Sequence, residues 1–181
     1  SLSIFKNSSF FIAHGNYGKM NPPLRSEEDR TELWKALKEG LIDIIATDHA
    51  PHTHTEKELS FEEAPCGVPG VQTMMPLLLN EVNQGTLSLQ QVVKLCSENP
   101  ATIFNIAQRG FIREGYFADL VVVDMDHEDI ITHEQQYSKS GWTPFHGTPV
   151  KGWPIMTLVN GNIIYNQGVF DETKKGWLIT P

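Results

Sequence analysis

Asp48 stands just beyond the apolar run Ile42-Asp43-Ile44-Ile45-Ala46, and His49, Pro51, His52 and His54 follow within six residues. A carboxylate held at the end of a buried strand can ligate a metal or take a proton from a metal-bound water. The residue types also permit a plainer arrangement, in which Asp48 caps a turn and the histidines decorate a solvated loop. A second constellation precedes it. In Lys19-Met20-Asn21-Pro22-Pro23-Leu24-Arg25 two prolines restrict the backbone, so an amide and a guanidinium are presented with little conformational freedom. Arg25 suits a carboxylate through paired hydrogen bonds, or an ordinary surface ion pair.

The elements around these residues read as an α/β part followed by a β part. Ser26 is placed to cap a helix three residues before Asp29, in an acidic first turn. Leu33, Trp34 and Leu37 continue at helical spacing, and Gly40 supplies the stop. Ile42 to Ala46 then reads as a short strand covered on both faces. Helix, tight turn and buried strand make up the grammar of an α/β unit, and in such architectures chemistry gathers at the strands' C-terminal ends. After a polar loop from His49 to Pro65, VQTMMPLLLNEV predicts a helix despite Pro76. Ser88 opens another, with Leu89, Val92, Val93 and Cys96 on one face, and Ala101 to Ile106 a short third. From about Arg109 the pattern turns to β, with a branched run from Ala118 to Asp124. Met156–Val159 and Asn162–Tyr165 flank Asn160-Gly161, the residue pair of a type I′ hairpin turn. Gln135 to Pro154 lacks periodicity and reads as a long ordered loop.

Composition narrows the classes. The 181 residues carry 14 Lys plus Arg against 22 Asp plus Glu, a net charge of −8, with 40% hydrophobic and 20% charged residues. These are globular values, and a chain this long buries about 70% of its unfolded surface without needing staples. The acidic balance argues against nucleic-acid or anionic-membrane partners, and no apolar run approaches the ~20 residues of a membrane span. Cys66 and Cys96 form no CxxC pair, which points to a reducing cytoplasm rather than a disulfide framework. The N-terminus does not read as a secretory signal, and without an initiator Met the chain reads as a piece of a longer protein.

The blocks KMNPPLRSEEDR, GLIDIIATDHAPH, EK, APCGVPGVQ, SENPATIF and REGYFADLVVVD, in that order and spacing, resemble the dihydroorotases of the amidohydrolase superfamily. The resemblance runs from about Lys19 to the C-terminus, and IATDHAPH is its most specific piece. SGWTPFHG and VNGNIIYNQGVFDE resemble the bacterial single-chain branch. Hydantoinases and allantoinases share the strand-end Asp but tend to differ where His52 stands. The resemblance implies the C-terminal part of a (β/α)8 barrel followed by a small β-domain segment. Residues 1–108 would hold the last βα units, and 109–181 a β-rich part of a composite sandwich. It implies zinc-dependent, reversible hydrolysis of dihydroorotate to N-carbamoyl-aspartate, in pyrimidine synthesis. Asp48 would bind the zinc site, accept the proton of the attacking hydroxide and pass it to the leaving nitrogen. His52 and Asn21 would bind the substrate carboxylate, and backbone groups near Cys66 and Gly67 would contact the pyrimidine ring. His49 and His54 receive no role.

Much of the family's metal set has no counterpart here. Neither the HxH pair that the family places after strand one, nor its bridging Lys or Asp after strand four, nor its single histidines after strands five and six can be found, and His14 in His14-Gly15-Asn16 does not resemble a ligand motif. A barrel of ~250 residues plus a β-domain exceeds 181. The expected state is therefore a C-terminal portion, inactive alone, that self-associates or needs its N-terminal half because of exposed strand edges. Two other readings stand beside it: a non-catalytic assembly or binding module, and another cyclic amidohydrolase acting on hydantoin or allantoin.

Overall fold

A computed structural model describes residues 2–179. The chain forms two compact units, residues 1–74 with 129–149, and residues 75–128 with 150–181.

The first unit begins with a 3-10 turn, Leu2–Ile4, and helix α1, Ser8–His14, capped by the Asn7 side chain on the Ser9 N–H at 3.0 Å. Helix α2, Glu27–Lys38, has the expected start: Ser26 and Asp29 cap each other's backbone N–H in a reciprocal capping box. Its stop is also as expected, with Gly40 at φ +76° two residues past the last helical residue. Leu37 points inward, and Trp34 donates its indole N–H to the Ile4 carbonyl at 2.6 Å.

The predicted strand Ile42–Ala46 takes no part in a ladder. Ile45 is buried, but Leu41 is 72% exposed. A strand is a property of two segments, and among the described residues no neighbour pairs with this one. The nearest pairing is an isolated parallel bridge between His49 and Val68, where the Ala50 N–H donates to the Val68 carbonyl at 3.1 Å. The loop from His49 to Pro65 contains one further turn of helix, α3, His54–Lys57, started by a second capping box between Thr53 and Glu56.

Helix α4, Met74–Asn83, leads into the second unit and buries Pro76, Leu77, Leu78 and Leu79. Ser88 caps α5, Leu89–Val93, which continues through a π-helical turn, Lys94–Glu98, into α6, Asn99–Ile103. The packed face differs from the expected one: Val92 and Leu95 are buried, whereas Leu89 and Val93 are exposed. The buried pair stands three residues apart on one side of the helix, and the π-helical turn begins at Lys94, past Leu89 and Val93. Cys96 lies on this turn, and burial pushes its thiol up to about 11.

Four strands form one sheet in the order β1-β2-β3-β4: Leu120–Ile131, Thr148–Val159, Asn162–Asn166 and Val169–Phe170. β2 therefore starts inside the segment expected to be loop. The hairpin is as predicted, with Val159 opposite Asn162 and positive φ at Asn160 (+50°) and Gly161 (+77°). Arg109 secures that turn. Its guanidinium pairs with Asp119, donates to the Asn160 side chain at 2.9 Å and lies 4.3 Å from the Phe117 ring centre. No helix among the described residues is long and apolar enough to cross a membrane.

Candidate active site

Loops of the first unit carry the residues singled out in the sequence, and a buried lysine joins them. Lys57 ends α3 and is 1% exposed. Its ammonium donates to the carbonyls of Pro65 at 3.0 Å, Gly67 at 3.0 Å and Lys19 at 3.4 Å. An ammonium has three donors and no acceptor, so these carbonyls satisfy it fully. No carboxylate takes part, and burial holds its pKa below the ordinary 10.5 of lysine, with the Lys19 charge adding to the effect. The Gly67 N–H donates to the same Lys19 carbonyl at 3.0 Å. The backbone leading to Asn21 and the loop carrying Cys66 and Gly67 thus converge on one oxygen. Lys19 mirrors the arrangement: its ammonium reaches the carbonyls of Phe61 and Ala64, the latter at 2.6 Å, and lies over the Phe61 ring.

The His52 loop closes on the same knot. His52 Nε2 donates to the Cys66 carbonyl at 3.1 Å, which leaves Nδ1 as the second ring nitrogen, 4.0 Å from Glu56. Glu56 has a carboxyl held below the usual glutamate range by hydrogen bonds from the Thr53 backbone and hydroxyl. Gly67 has φ +129°, and a Cβ there would lie 2.6 Å from the Ala50 Cβ and 2.7 Å from the Ala50 carbonyl. Only glycine lets the 65–67 loop approach Ala50 this closely. Behind the loop, the buried Trp142 donates its indole N–H to the His52 carbonyl at 2.7 Å. His49 accepts the N–H groups of Gly70 and Val71 on Nδ1, at 3.0 and 3.3 Å, so its ring is committed to the backbone. His54 Nδ1 sits 2.7 Å from the Tyr17 hydroxyl.

The structure therefore brings together His52, Cys66, Gly67 and the backbone preceding Asn21. Asp48 occupies the same loop four residues before His52, exposed and with φ +51°, and its carboxylate bonds to no described residue. It caps no turn. The Asn21 and Arg25 side chains are likewise exposed and without a partner among the described residues, although the Arg25 carbonyl accepts the Ser8 N–H at 2.7 Å.

Zinc sites use three or four protein ligands. Among the described residues no group of three His, Cys, Asp or Glu side chains is placed to hold a metal ion. Asp48 contributes one donor at most, so the zinc implied by the resemblance does not find its ligand set here, and no chemical step is routed through it.

A cavity of about 370 Å³ opens elsewhere in the first unit, walled by His14, Tyr17, His54, His133, Trp142 and His146 among others. His133 and His146 stack at 3.9 Å, and each takes a backbone N–H on Nδ1. Burial and the two neighbouring imidazoles lower the His133 pKa. Asp48, Asn21, Cys66 and Gly67 do not line this cavity.

Three positioning side chains escaped sequence reasoning: Lys57, Trp142 and Tyr17. Lys57 lay in the EK block but within a polar loop, where a lysine reads as solvated. Trp142 lies in the SGWTPFHG block, and nothing local announces a bond to His52, 90 residues away.

The chain's mixed helix and strand content is that of a known class. The amidohydrolase family model matches residues 11–164, and the chain belongs to that family. Over 152 residues it is 45% identical to a Halobacterium salinarum protein named dihydroorotase, covering 84% of this chain and 36% of the relative. A Wolbachia protein of the same name is 46% identical over 154 residues, covering 85% and 35%. The chain thus spans little more than a third of the length of these relatives. Among solved structures it is similar to the L-hydantoinase (dihydropyrimidinase) of Arthrobacter aurescens, with TM-score 0.92 and 33% identity over 99% of this chain and 41% of that one. A D-hydantoinase from a Thermus species gives 0.87 and 28%, over 93% and 38%.

Proposed function

We propose that this chain supplies the substrate-binding and proton-transfer part of a dihydroorotase, and that it is the C-terminal portion of the barrel with the adjoining β segment. One observation carries the reading: His52, Cys66 and Gly67 meet in one hydrogen-bonded knot, tied through the Lys19 carbonyl to the loop that presents Asn21. The dihydroorotase-named relatives at about 45% identity support the substrate class.

The reaction is hydrolysis of a cyclic amide. Water oxygen bonds to the ring carbonyl carbon and gives its proton to the Asp48 carboxylate. The carbon–nitrogen bond then breaks, and the proton passes from Asp48 to the departing nitrogen. Asn21 and His52 hold the carboxylate on the ring, which distinguishes dihydroorotate from an uncharged hydantoin. His52 presents Nδ1 for this, or releases Nε2 from the Cys66 carbonyl. Backbone groups at Cys66 and Gly67 border the ring. Zinc is the proposed cofactor of the completed site, its remaining ligands coming from sequence outside these 181 residues. We place the enzyme in the cytoplasm, in keeping with two free cysteines.

The second reading is a hydantoinase-like activity, favoured by the likeness to the two hydantoinase structures. The test supplies the purified chain with zinc, alone and together with the remaining barrel strands of a dihydroorotase relative. Loss of amide absorbance is then followed for dihydroorotate and for hydantoin. The expected result is no turnover by the chain alone, dihydroorotate turnover by the assembly, and a loss of at least 1,000-fold in Asp48→Asn. Preferential turnover of hydantoin, unaffected by His52→Ala, overturns the substrate assignment.

A further inference from the structure

We propose that Lys57 is the positioning residue of this site, its ammonium setting the separation between the loop that presents Asn21 and the loop of Cys66 and Gly67. The proposal deepens the functional reading above and rests on it for the identity of the substrate.

Lys57 is closed off from solvent, and its three donors point at three backbone carbonyls drawn from two segments more than 45 residues apart in sequence. Two of them, Pro65 and Gly67, flank Cys66, so the lysine spans the short arch that borders the ring. The third, Lys19, lies two residues before Asn21 and also accepts the Gly67 N–H. A point charge with three freely rotating donors suits converging carbonyls better than the flat fork of arginine. Burying a charge is costly without full hydrogen bonding, and here only dipoles of the two site loops provide it. Opening either loop strands the ammonium, so the loops stay in register while the ammonium is caged. A surface ion pair could not impose that distance, because water competes for each partner. The Cys66 carbonyl between the two caged ones receives His52 Nε2, so the same arch also sets the height of the histidine.

Two readouts separate this role from a general contribution to folding. The first is amide exchange in the chain itself, Lys57→Met against the parent. Gly67, which donates to Lys19, loses at least 100-fold protection, while Leu37 in α2 of the same unit changes less than 10-fold. Equal losses at both, or unchanged Gly67, overturn the proposal. Should Lys57→Met fail to fold, the parent chain decides: a caged ammonium gives a slowly exchanging lysine Nζ–H resonance, and its absence overturns the proposal. The second readout uses the assembled enzyme described above. Lys57→Met raises KM for dihydroorotate at least 10-fold and changes kcat less than threefold, because loop spacing governs binding and Asp48 is untouched. An unchanged KM overturns the positioning role. An assembly inert toward dihydroorotate, with the Gly67 protection loss intact, overturns the functional reading and leaves the loop clamp standing.

Discussion

Each unit of the molecule has loops tied by a cation, and the ties at Arg109 and Lys57 differ in kind. In the second unit Arg109 finds a carboxylate on Asp119, an amide on Asn160 and an aromatic face on Phe117. In the first, Lys57 finds only carbonyl dipoles. The arginine joint is a planar fork matched to a carboxylate, with charge cancelled locally, and it secures a hairpin turn that its own sequence already favours. The lysine cage leaves its charge uncancelled and holds segments that no local preference would bring together. Structural joints can rely on matched charge. A joint that holds two loops through carbonyls alone relies on geometry, and it is the more easily broken of the two.

The largest expected effect is at Gly67. Gly67→Ala forces a Cβ to within 2.6 Å of the Ala50 Cβ at φ +129°, which costs about 3 kcal/mol from overpacking and backbone strain. The urea midpoint of the first unit, read by Trp34 and Trp142 fluorescence, reports it. A loss below about 1 kcal/mol would mean that the arch can widen and that the cage is looser than described. Next comes Arg109→Met, which strands Asp119 and removes the bond to Asn160, for about 2 kcal/mol. Exchange of the Asn160 amide, which donates to Asp119 at 2.7 Å, should rise while Gly67 stays protected. Coupled loss at both positions would abolish the contrast between the ties.

The smallest effect is in pH. Burial lowers the Lys57 pKa in the fold below its ordinary 10.5. Between the lowered value and 10.5 the unfolded chain binds the extra proton, so the first unit gains stability as pH rises through that window. Parent and Lys57→Met midpoints compared from pH 8 to 10.5 should show the gain in the parent only. A parent curve that falls relative to the variant would reverse the sign and point to a raised pKa.

Legibility followed the distance over which each feature is decided. Ser26, Gly40 and Asn160-Gly161 were readable because caps and turns are chosen by a few adjacent residues. The strand at Ile42–Ala46 was misread because apolar runs state a preference, whereas ladders need a partner segment. The face of α5 was misread because apolar residues stand on more than one side of it, and only tertiary packing selects the side of Val92 and Leu95. Asp48, His52, Asn21, Cys66 and Gly67 were singled out by motif as candidates, but the bonds that join the loops of His52, Cys66 and Gly67 to the Lys19 carbonyl were not legible. Lys57 reaches Lys19 across 38 residues and Trp142 reaches His52 across 90, and no local pattern encodes such bonds.

The two cysteines differ enough to be addressed separately. With its thiol pushed up to about 11, Cys96 has only about one thiolate in ten thousand at pH 7, and it is partly enclosed by its helix. Cys66 is exposed on the arch beside Gly67. A maleimide dye applied briefly at neutral pH will therefore mark one position, turning the loop of Cys66 and Gly67 into an optical reporter without any engineered cysteine.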